Sequence, residues 1–111
     1  MPEDTAVRSD GLTAGYAAVV WNPPAVPTDH PTVTILDQTR LPHVVSLVVA
    51  RSWTAVASSI RTMQVRGAPA IGIAAAMGVA LAAHEAPDDP SQFHAFVEDA
   101  CADLATTRPT A

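Results

Sequence analysis

The sequence contains no lysine and a single cysteine, Cys101, and aromatic residues make up only 5% of its 111 residues. One cysteine cannot form a disulfide within the chain, which is typical of a reducing compartment such as the cytoplasm. The four histidines are scattered without metal-ligand spacing, so we expect neither a metal nor a cofactor. Cys101 follows Phe93 and Val97 at helical spacing, with Leu104 after it, and we interpret it as a core residue and not as a nucleophile.

Acidic residues are absent from the middle of the chain. Residues 38–84 carry four arginines and no carboxylate, whereas residues 1–37 have a net charge of −4 and residues 85–111 a net charge of −5. An acidic protein of this kind is not typical of nucleic-acid binders, so we expect no nucleic-acid partner. The arginine-bearing middle segment favours a small anionic ligand instead.

The sequence also has no apolar run of the length that spans a bilayer. Its longest run, from Pro69 to Ala83, is shorter than the roughly 20 residues required, and the acidic N-terminus has no signal-peptide core. We therefore expect no membrane partner. Because this run is apolar on all sides, it predicts a helix that is buried on several sides.

The first half of the chain predicts a small antiparallel β-meander. Apolar, β-branched segments at 16–21, 33–36 and 44–50 have the composition of short strands, and the proline-rich residues 22–31 form a loop between the first two. The polar residues 1–14 are expected to be a disordered tail, which leaves residues 15–111 as one domain.

Three helices are predicted to follow the strands. The first is capped by Thr54, runs to about Gln64 and buries Val56, Ile60 and Met63. The second begins near Pro69, and the third opens at Pro90 and ends near Thr106. In the second helix, the small residues Gly72, Ala76 and Ala80 form one smooth face that favours close approach of another helix, and Ile73, Met77 and Leu81 form a bulkier one.

A glycine turn leads into the second helix at Arg66-Gly67-Ala68-Pro69. Gly67 suits a positive φ, and the first amides of a helix lack intrahelical partners and carry partial positive charge. With the guanidinium of Arg66, these donors could bind a phosphate or a carboxylate. A simple turn into a buried helix, with Arg66 facing solvent, explains the same residues, so the local chemistry leaves both interpretations open.

No arrangement of residues in the sequence indicates catalysis. There is no Ser/His/Asp pattern and no pair of carboxylates placed for acid–base chemistry. Asp37 is the one acid that borders the arginine-bearing segment, and we interpret it as a turn residue that bonds its own backbone.

Three segments, read in order, resemble the N-terminal part of the S-methyl-5-thioribose-1-phosphate isomerases. They are residues 36–42 (Leu-Asp-Gln-Thr-Arg-Leu-Pro), residues 60–78, which include Arg-Gly-Ala-Pro-Ala-Ile-Gly, and residues 107–111 (Thr-Arg-Pro-Thr-Ala). The resemblance extends over residues 17–111. It implies an α+β fold in which a small antiparallel meander precedes a helical bundle, as in the first of the family's two domains.

The family resemblance also implies a function. Its members convert 5-methylthioribose 1-phosphate to 5-methylthioribulose 1-phosphate, an aldose–ketose isomerisation of methionine salvage, as cytoplasmic homodimers. The matching substrate-binding residues are Arg66, Gly67, Ala68 and Arg108. The family's catalytic Asp and Cys lie in a Rossmann-like second domain and have no counterpart here, so we expect a fragment that binds a sugar phosphate without turnover.

Alternative functions of the same fold stay open. One is a ribose-1,5-bisphosphate isomerase, although its residues after Arg-Gly-Ala are less similar to those of this chain. Another is a non-catalytic protein-binding module like the regulatory subunits of the eukaryotic initiation-factor exchange complex. A third is a stand-alone sugar-phosphate-binding module. The intact Arg66–Pro69 stretch favours the isomerase.

Overall fold

A three-stranded antiparallel sheet and three helices make up the fold. The computed structural model describes residues 18–26 and 28–107, so the tail predicted at 1–14 lies outside the described residues. In the described residues, three strands, with a short 3₁₀ helix at Gln38–Arg40 between the second and the third, precede three α-helices, which confirms the predicted α+β meander and helical bundle. Their bounds are β1 Val19–Asn22, β2 Thr32–Leu36, β3 Leu47–Ala50, α1 Trp53–Arg61, α2 Ala68–Glu85 and α3 Pro90–Ala105.

The sheet has the order β1-β2-β3, and one of its faces supplies part of the core. Val19 pairs with Ile35, which pairs in turn with Val48, so a row of apolar side chains crosses one face. Ile35 is fully buried and belongs to the core cluster together with residues of all three helices. Alternation along each strand sends the next residues to the opposite face, where Val20 and Val49 are exposed.

The third strand is shorter than the sequence predicts. It begins at Leu47, not at Val44, because its partner β2 ends at Leu36, the residue paired with Leu47. Beyond that pair, the backbone N–H of Asp37 donates to the carbonyl of Ser46 at 2.8 Å and the chain turns away. Residues 44–46 are β-branched or polar but have no strand partner.

The first helix is capped by Ser52, not by Thr54, and ends at Arg61. The Ser52 hydroxyl accepts a hydrogen bond from the N–H of Ala55 at 3.1 Å, which satisfies one of the free donors of the first turn. Val56 and Ile60 are fully buried, as predicted. Met63 is 42% exposed, because the helix has already ended and its backbone has turned to φ 67°.

The second helix lies between the other two and buries one stripe only. Burial on several sides was therefore a wrong expectation for the described residues, since Gly72, Ile73 and Ala76 are exposed. At 18 residues α2 is longer than the predicted run and, by length and composition alone, is long enough to cross a membrane. It packs here as the central helix of the bundle, and its buried residues are Ile71, Ala74, Gly78, Leu81 and Ala82.

Close helix approach occurs at Gly78 and not at the predicted face of Gly72, Ala76 and Ala80. A methyl group at Gly78 would lie 3.1 Å from Cδ1 of Leu104 and 3.3 Å from Cγ1 of Val56. The absence of a side chain at Gly78 therefore lets α1 and α3 meet α2 at one point.

The core stripe of α3 is offset from the predicted one. Ala100 and Leu104 are buried, whereas Phe93 and Cys101 are exposed. The prediction of Cys101 as a core residue was wrong, because α3 packs mainly against one helix, α2. Such a helix buries a narrow stripe, and Cys101 lies one position, or 100°, beyond Ala100.

Candidate anion-binding site

The start of α2 is open to solvent and has no side-chain cap. Gly67 is the N-cap residue and has φ 91°, which confirms the predicted positive φ, and Pro69 lies in the first turn as predicted. The Gly67 carbonyl accepts the first helical hydrogen bond from Ile71 at 2.9 Å. Within the described residues, no acceptor engages the backbone N–H of Ala68 or Ala70. These donors, together with the helix dipole, favour a negative charge at this point.

A helix-terminating motif at the end of α1 sets the path to this site. The N–H of Met63 donates to the carbonyl of Ile60 at 3.1 Å, and the N–H of Gln64 donates to Ser59 at 2.9 Å. This is the Schellman pattern, in which the residue after the C-cap adopts a left-handed conformation, here Met63. Val65 follows and is fully buried, so it anchors the backbone immediately before Arg66.

Gln64 ties this loop to the turn after β2. Its side-chain amide donates to Oδ2 of Asp37 at 3.2 Å, and its backbone carbonyl accepts from the backbone N–H of Gln38 at 3.0 Å. Two of the three sequence segments that carry the family resemblance, residues 36–42 and 60–78, are thus in direct contact. The backbone before Arg66 is therefore held by the hydrogen bonds of Gln64 and by the buried side chain of Val65.

Asp37 is a turn residue, as the sequence predicts, and it also makes a contact outside its own turn. It does bond its own turn, since Oδ1 accepts from the N–H of Thr39 at 3.0 Å and from its hydroxyl at 2.6 Å. It is also buried and bonded to Gln64 across the fold. Burial, the strongest single influence, opposes its ionisation, but the hydrogen bonds from Thr39 and Gln64, with nearby Arg40, together lower the pKa of Asp37 below 3.8. Asp37 is therefore a charged connector between the two segments.

Arg66 is exposed next to the free amides of α2. Neither of the two ion pairs among the described residues, Arg61 with Asp103 and His94 with Glu98, involves it. The structure thus places Arg66, Gly67 and Ala68 side by side at one helix start. The predicted fourth ligand, Arg108, lies outside the described residues.

The described part of α3 is anchored near this end of α1. Nη2 of Arg61 lies 2.7 Å from Oδ1 of Asp103, which joins the last residue of α1 to the last turn of α3. Thr107 follows that turn; it is buried, and its hydroxyl donates to the carbonyl of Leu104 at 2.7 Å.

No group of three or more His, Cys, Asp or Glu side chains among residues 18–26 and 28–107 could hold a metal ion. The start of α2 offers N–H donors and a guanidinium, which are groups that bind oxyanions.

Comparison with known proteins gives this site a family context. The chain is 51% identical over 80 residues to a methylthioribose-1-phosphate isomerase of Trichlorobacter lovleyi, an alignment that covers 71% of this chain. It is 53% identical over 79 residues to the corresponding protein of Methylorubrum populi. Over this segment the chain is similar to the methylthioribose-1-phosphate isomerases. No family model matches the sequence.

The chain spans about a quarter of the length of the methylthioribose-1-phosphate isomerases that it matches, 23% for the T. lovleyi protein and 20% for that of M. populi. Solved structures agree with the fold. The 5-methylthioribose 1-phosphate isomerase of Pyrococcus horikoshii aligns with a TM-score of 0.69 at 38% identity, over 71% of this chain and 22% of its own. Subunit delta of translation initiation factor eIF-2B from A. fulgidus aligns with a TM-score of 0.71 at 33% identity, over 84% of this chain and 25% of its own.

The contact between Asp37 and Gln64 is the feature of the site that sequence reasoning missed. Both residues stand inside segments already singled out for their family resemblance, at positions 37 and 64. A buried acid that borders an acid-free segment needs a donor nearby, and Gln64 is an uncharged donor two residues before Arg66. The need of a buried carboxylate for a hydrogen-bond donor was therefore the feature of the sequence that could have indicated this contact.

Proposed function

We propose that this chain supplies a phosphate-binding part of an isomerase that converts 5-methylthioribose 1-phosphate to 5-methylthioribulose 1-phosphate in methionine salvage. The proposal includes a cytoplasmic location and, for the complete enzyme, a homodimer, as the family resemblance implies. Arg66, Gly67, Ala68 and Arg108 are the proposed substrate-binding residues.

One observation supports this function above others: the uncapped start of α2 beside Arg66. A sugar phosphate ester presents three oxygens, which match two free backbone N–H groups and a guanidinium fork. Relatives with about half of their aligned residues identical carry the isomerase name. Fold and relatives together therefore favour a sugar phosphate over an unspecified anion.

Each element of the site has a distinct physical task in this proposal. The amides of Ala68 and Ala70 bind phosphate oxygens, and the absence of a side chain at Gly67 leaves room for the phosphate to approach. Arg66 neutralises its charge. Gln64 and Asp37 are positioning residues, since they fix the backbone that leads to Arg66 without contact to the substrate.

These residues bind and orient the substrate but do not move its hydrogen. The reaction opens the sugar ring and transfers hydrogen between C2 and C1, which requires an acid and a base near those carbons. In this proposal those groups come from the family's second domain. Arg66 and the free amides at the start of α2, here called the phosphate seat, hold the sugar at a fixed distance from them.

A titration of the 111-residue chain with 5-methylthioribose 1-phosphate, followed by amide NMR, tests the proposal. We expect saturable shifts at the N–H groups of Gly67, Ala68 and Ala70, and weaker binding of ribose 1,5-bisphosphate. Preference for the bisphosphate would favour the alternative isomerase. Shifts spread over the whole surface, or no shifts at these three amides, would contradict the assignment of a phosphate-binding site to the start of α2.

Protein binding is the second candidate function, and the similarity to the initiation-factor subunit favours it. That structure covers 84% of this chain and so aligns over more of it than the isomerase structure does. The exposed apolar residues of α2, Ile73 among them, would then contact a partner protein. A chain that binds no sugar phosphate but forms a stable complex through this face would support the second candidate.

A further inference from the structure

A cleft with several charged lining residues lies at the opposite end of α2 from Arg66. It has a volume of about 400 Å³, within the range of small-molecule sites. With a rise of about 1.5 Å per residue, Ala68 and His84 are separated by about 24 Å along the helix axis. The cleft is therefore independent of the proposed phosphate seat, and its lining residues are Asp29, His30, Pro31, Thr32, Arg51, Leu81, His84 and Glu85.

Two carboxylates in the cleft are each held by one oxygen. Oε2 of Glu85 accepts from the backbone N–H of Trp53 at 2.8 Å, and Oδ1 of Asp29 accepts from the N–H of His30 at 2.9 Å. Among the described residues, no hydrogen bond uses the remaining oxygens, Oε1 of Glu85 and Oδ2 of Asp29. The C-terminal end of α2 adds partial negative charge to this side of the cleft. Such an environment favours an ammonium group.

Arg51 supplies the opposite charge. It follows β3 directly, its side chain lines the cleft, and neither ion pair of the described residues involves it. A guanidinium presents two parallel donors that match the two oxygens of a carboxylate. The cleft thus offers a carboxylate-binding group and ammonium-binding groups within a single cavity.

Leu81 and Pro31 also line the cleft but are fully buried, so the exposed charged side chains are the groups that a ligand would contact. A metal ion does not suit this set, since no metal-binding group of three His, Cys, Asp or Glu occurs in the described residues.

We propose that this cleft binds a small zwitterion of the α-amino-acid class. The ligand's carboxylate pairs with Arg51, and its ammonium group lies between Asp29 and Glu85. This site is separate from the proposed phosphate seat and does not depend on the isomerase function.

Three probes of nearly equal shape test the charge requirement in the full 111-residue chain. L-Leucine carries both charged groups, isoamylamine lacks the carboxylate and 4-methylpentanoate lacks the ammonium group. Amide NMR titrations up to about 10 mM, a range that covers millimolar dissociation constants, should show shifts at Leu81 and His84. We expect leucine to bind at least about tenfold more tightly than either analogue, since each lacks one charge-assisted interaction. Equal binding of all three, or no binding of leucine, would overturn the proposal.

Two substitutions separate the cleft from the rest of the molecule. Arg51→Gln should weaken leucine binding at least about tenfold and leave isoamylamine binding unchanged. Glu85→Gln, which keeps an oxygen for the N–H of Trp53, should weaken both amines. Arg66→Gln is the matched control, because it removes an exposed arginine from the other end of α2 and should not change leucine binding. Unaltered leucine binding by Arg51→Gln, at an unchanged melting temperature, would refute the assignment.

Discussion

The starts of α2 and α3 are built differently, although both helices have a proline in the first turn. Asp89 caps α3, where its Oδ2 accepts from the N–H of Gln92 at 3.1 Å and from the hydroxyl of Ser91 at 2.7 Å. At the start of α2, Gly67 has no side chain to cap with. One helix start satisfies its donors internally, and the other leaves them available.

The presence of a side-chain cap on α3 and its absence on α2 indicate different roles for the two helix starts. A side-chain cap contributes about 1 kcal/mol to the free energy of unfolding, so α2 forgoes that stabilisation at its first turn. It recovers stability through its packing between α1 and α3, whereas α3 buries only Ala100 and Leu104. A carboxylate cap at position 67 would compete with a phosphate for the same amides. The missing cap therefore fits a binding role.

Of the changes at the two helix starts, Arg66→Ala should produce the largest effect, and that effect should be on ligand binding. Loss of a charge-assisted hydrogen bond to phosphate should weaken 5-methylthioribose 1-phosphate binding by about 2 kcal/mol, or roughly 30-fold. Stability should change little, because the side chain is exposed. Isothermal titration calorimetry and thermal unfolding measure the two quantities. Arg51→Ala is the control, and an equal loss of affinity there would show non-specific attraction.

Gly67→Ala should lower the free energy of unfolding by about 1–2 kcal/mol, because φ 91° is strained for any residue with a Cβ. The added methyl group meets nothing within 4 Å, so the loss would come from the backbone alone. Gly72→Ala is the matched control in the same helix, also with open space around it. It should raise stability by up to about 1 kcal/mol through helix propensity. Opposite signs in urea unfolding would verify the distinction, and equal signs would contradict it.

Asp89→Ala should lower the free energy of unfolding by about 1 kcal/mol, because two first-turn donors lose their acceptor. Asp89→Asn keeps a capping oxygen and should lose much less. Urea unfolding near neutral pH measures both. If Asp89→Ala were neutral, the cap of α3 would not distinguish it from the start of α2.

Acid should weaken the cap of α3 in a predictable direction. The Ser91 hydroxyl and then the N–H of Gln92 lower the pKa of Asp89 below 3.8. Its charge-dependent contribution to stability is therefore complete above the unfolded value of 3.8 and is lost as pH falls through the lower folded pKa. Unfolding of the native chain and of Asp89→Asn should be followed between neutral pH and acid. The variant should lose less stability in that window, and parallel curves would count against the charged cap.

Much of this fold could be predicted from local pattern. Pro69 and Pro90 mark helix starts because the φ of proline is fixed near the helical value, and β-branched apolar segments indicate the strands. The strand limits and the exposed side of α2 depend on which neighbours are present, and a single sequence does not give that information. The contact of Asp37 with Gln64 is of the same kind, since the two residues are 27 positions apart.

Cys101→Ser should have the smallest effect, and it tests the part of α3 that lies away from its cap. Because Cys101 is exposed and not in the core, the free energy of unfolding should change by less than about 0.5 kcal/mol. Leu104→Ala, three residues further on and buried against Gly78, should instead lose about 2–5 kcal/mol. Urea unfolding of the pair would separate the two faces of α3. A loss above 1 kcal/mol for Cys101→Ser would support the core stripe that the sequence predicts. The buried face of α3 would then be as broad as that of α2, and the two helices would differ only in how they are capped.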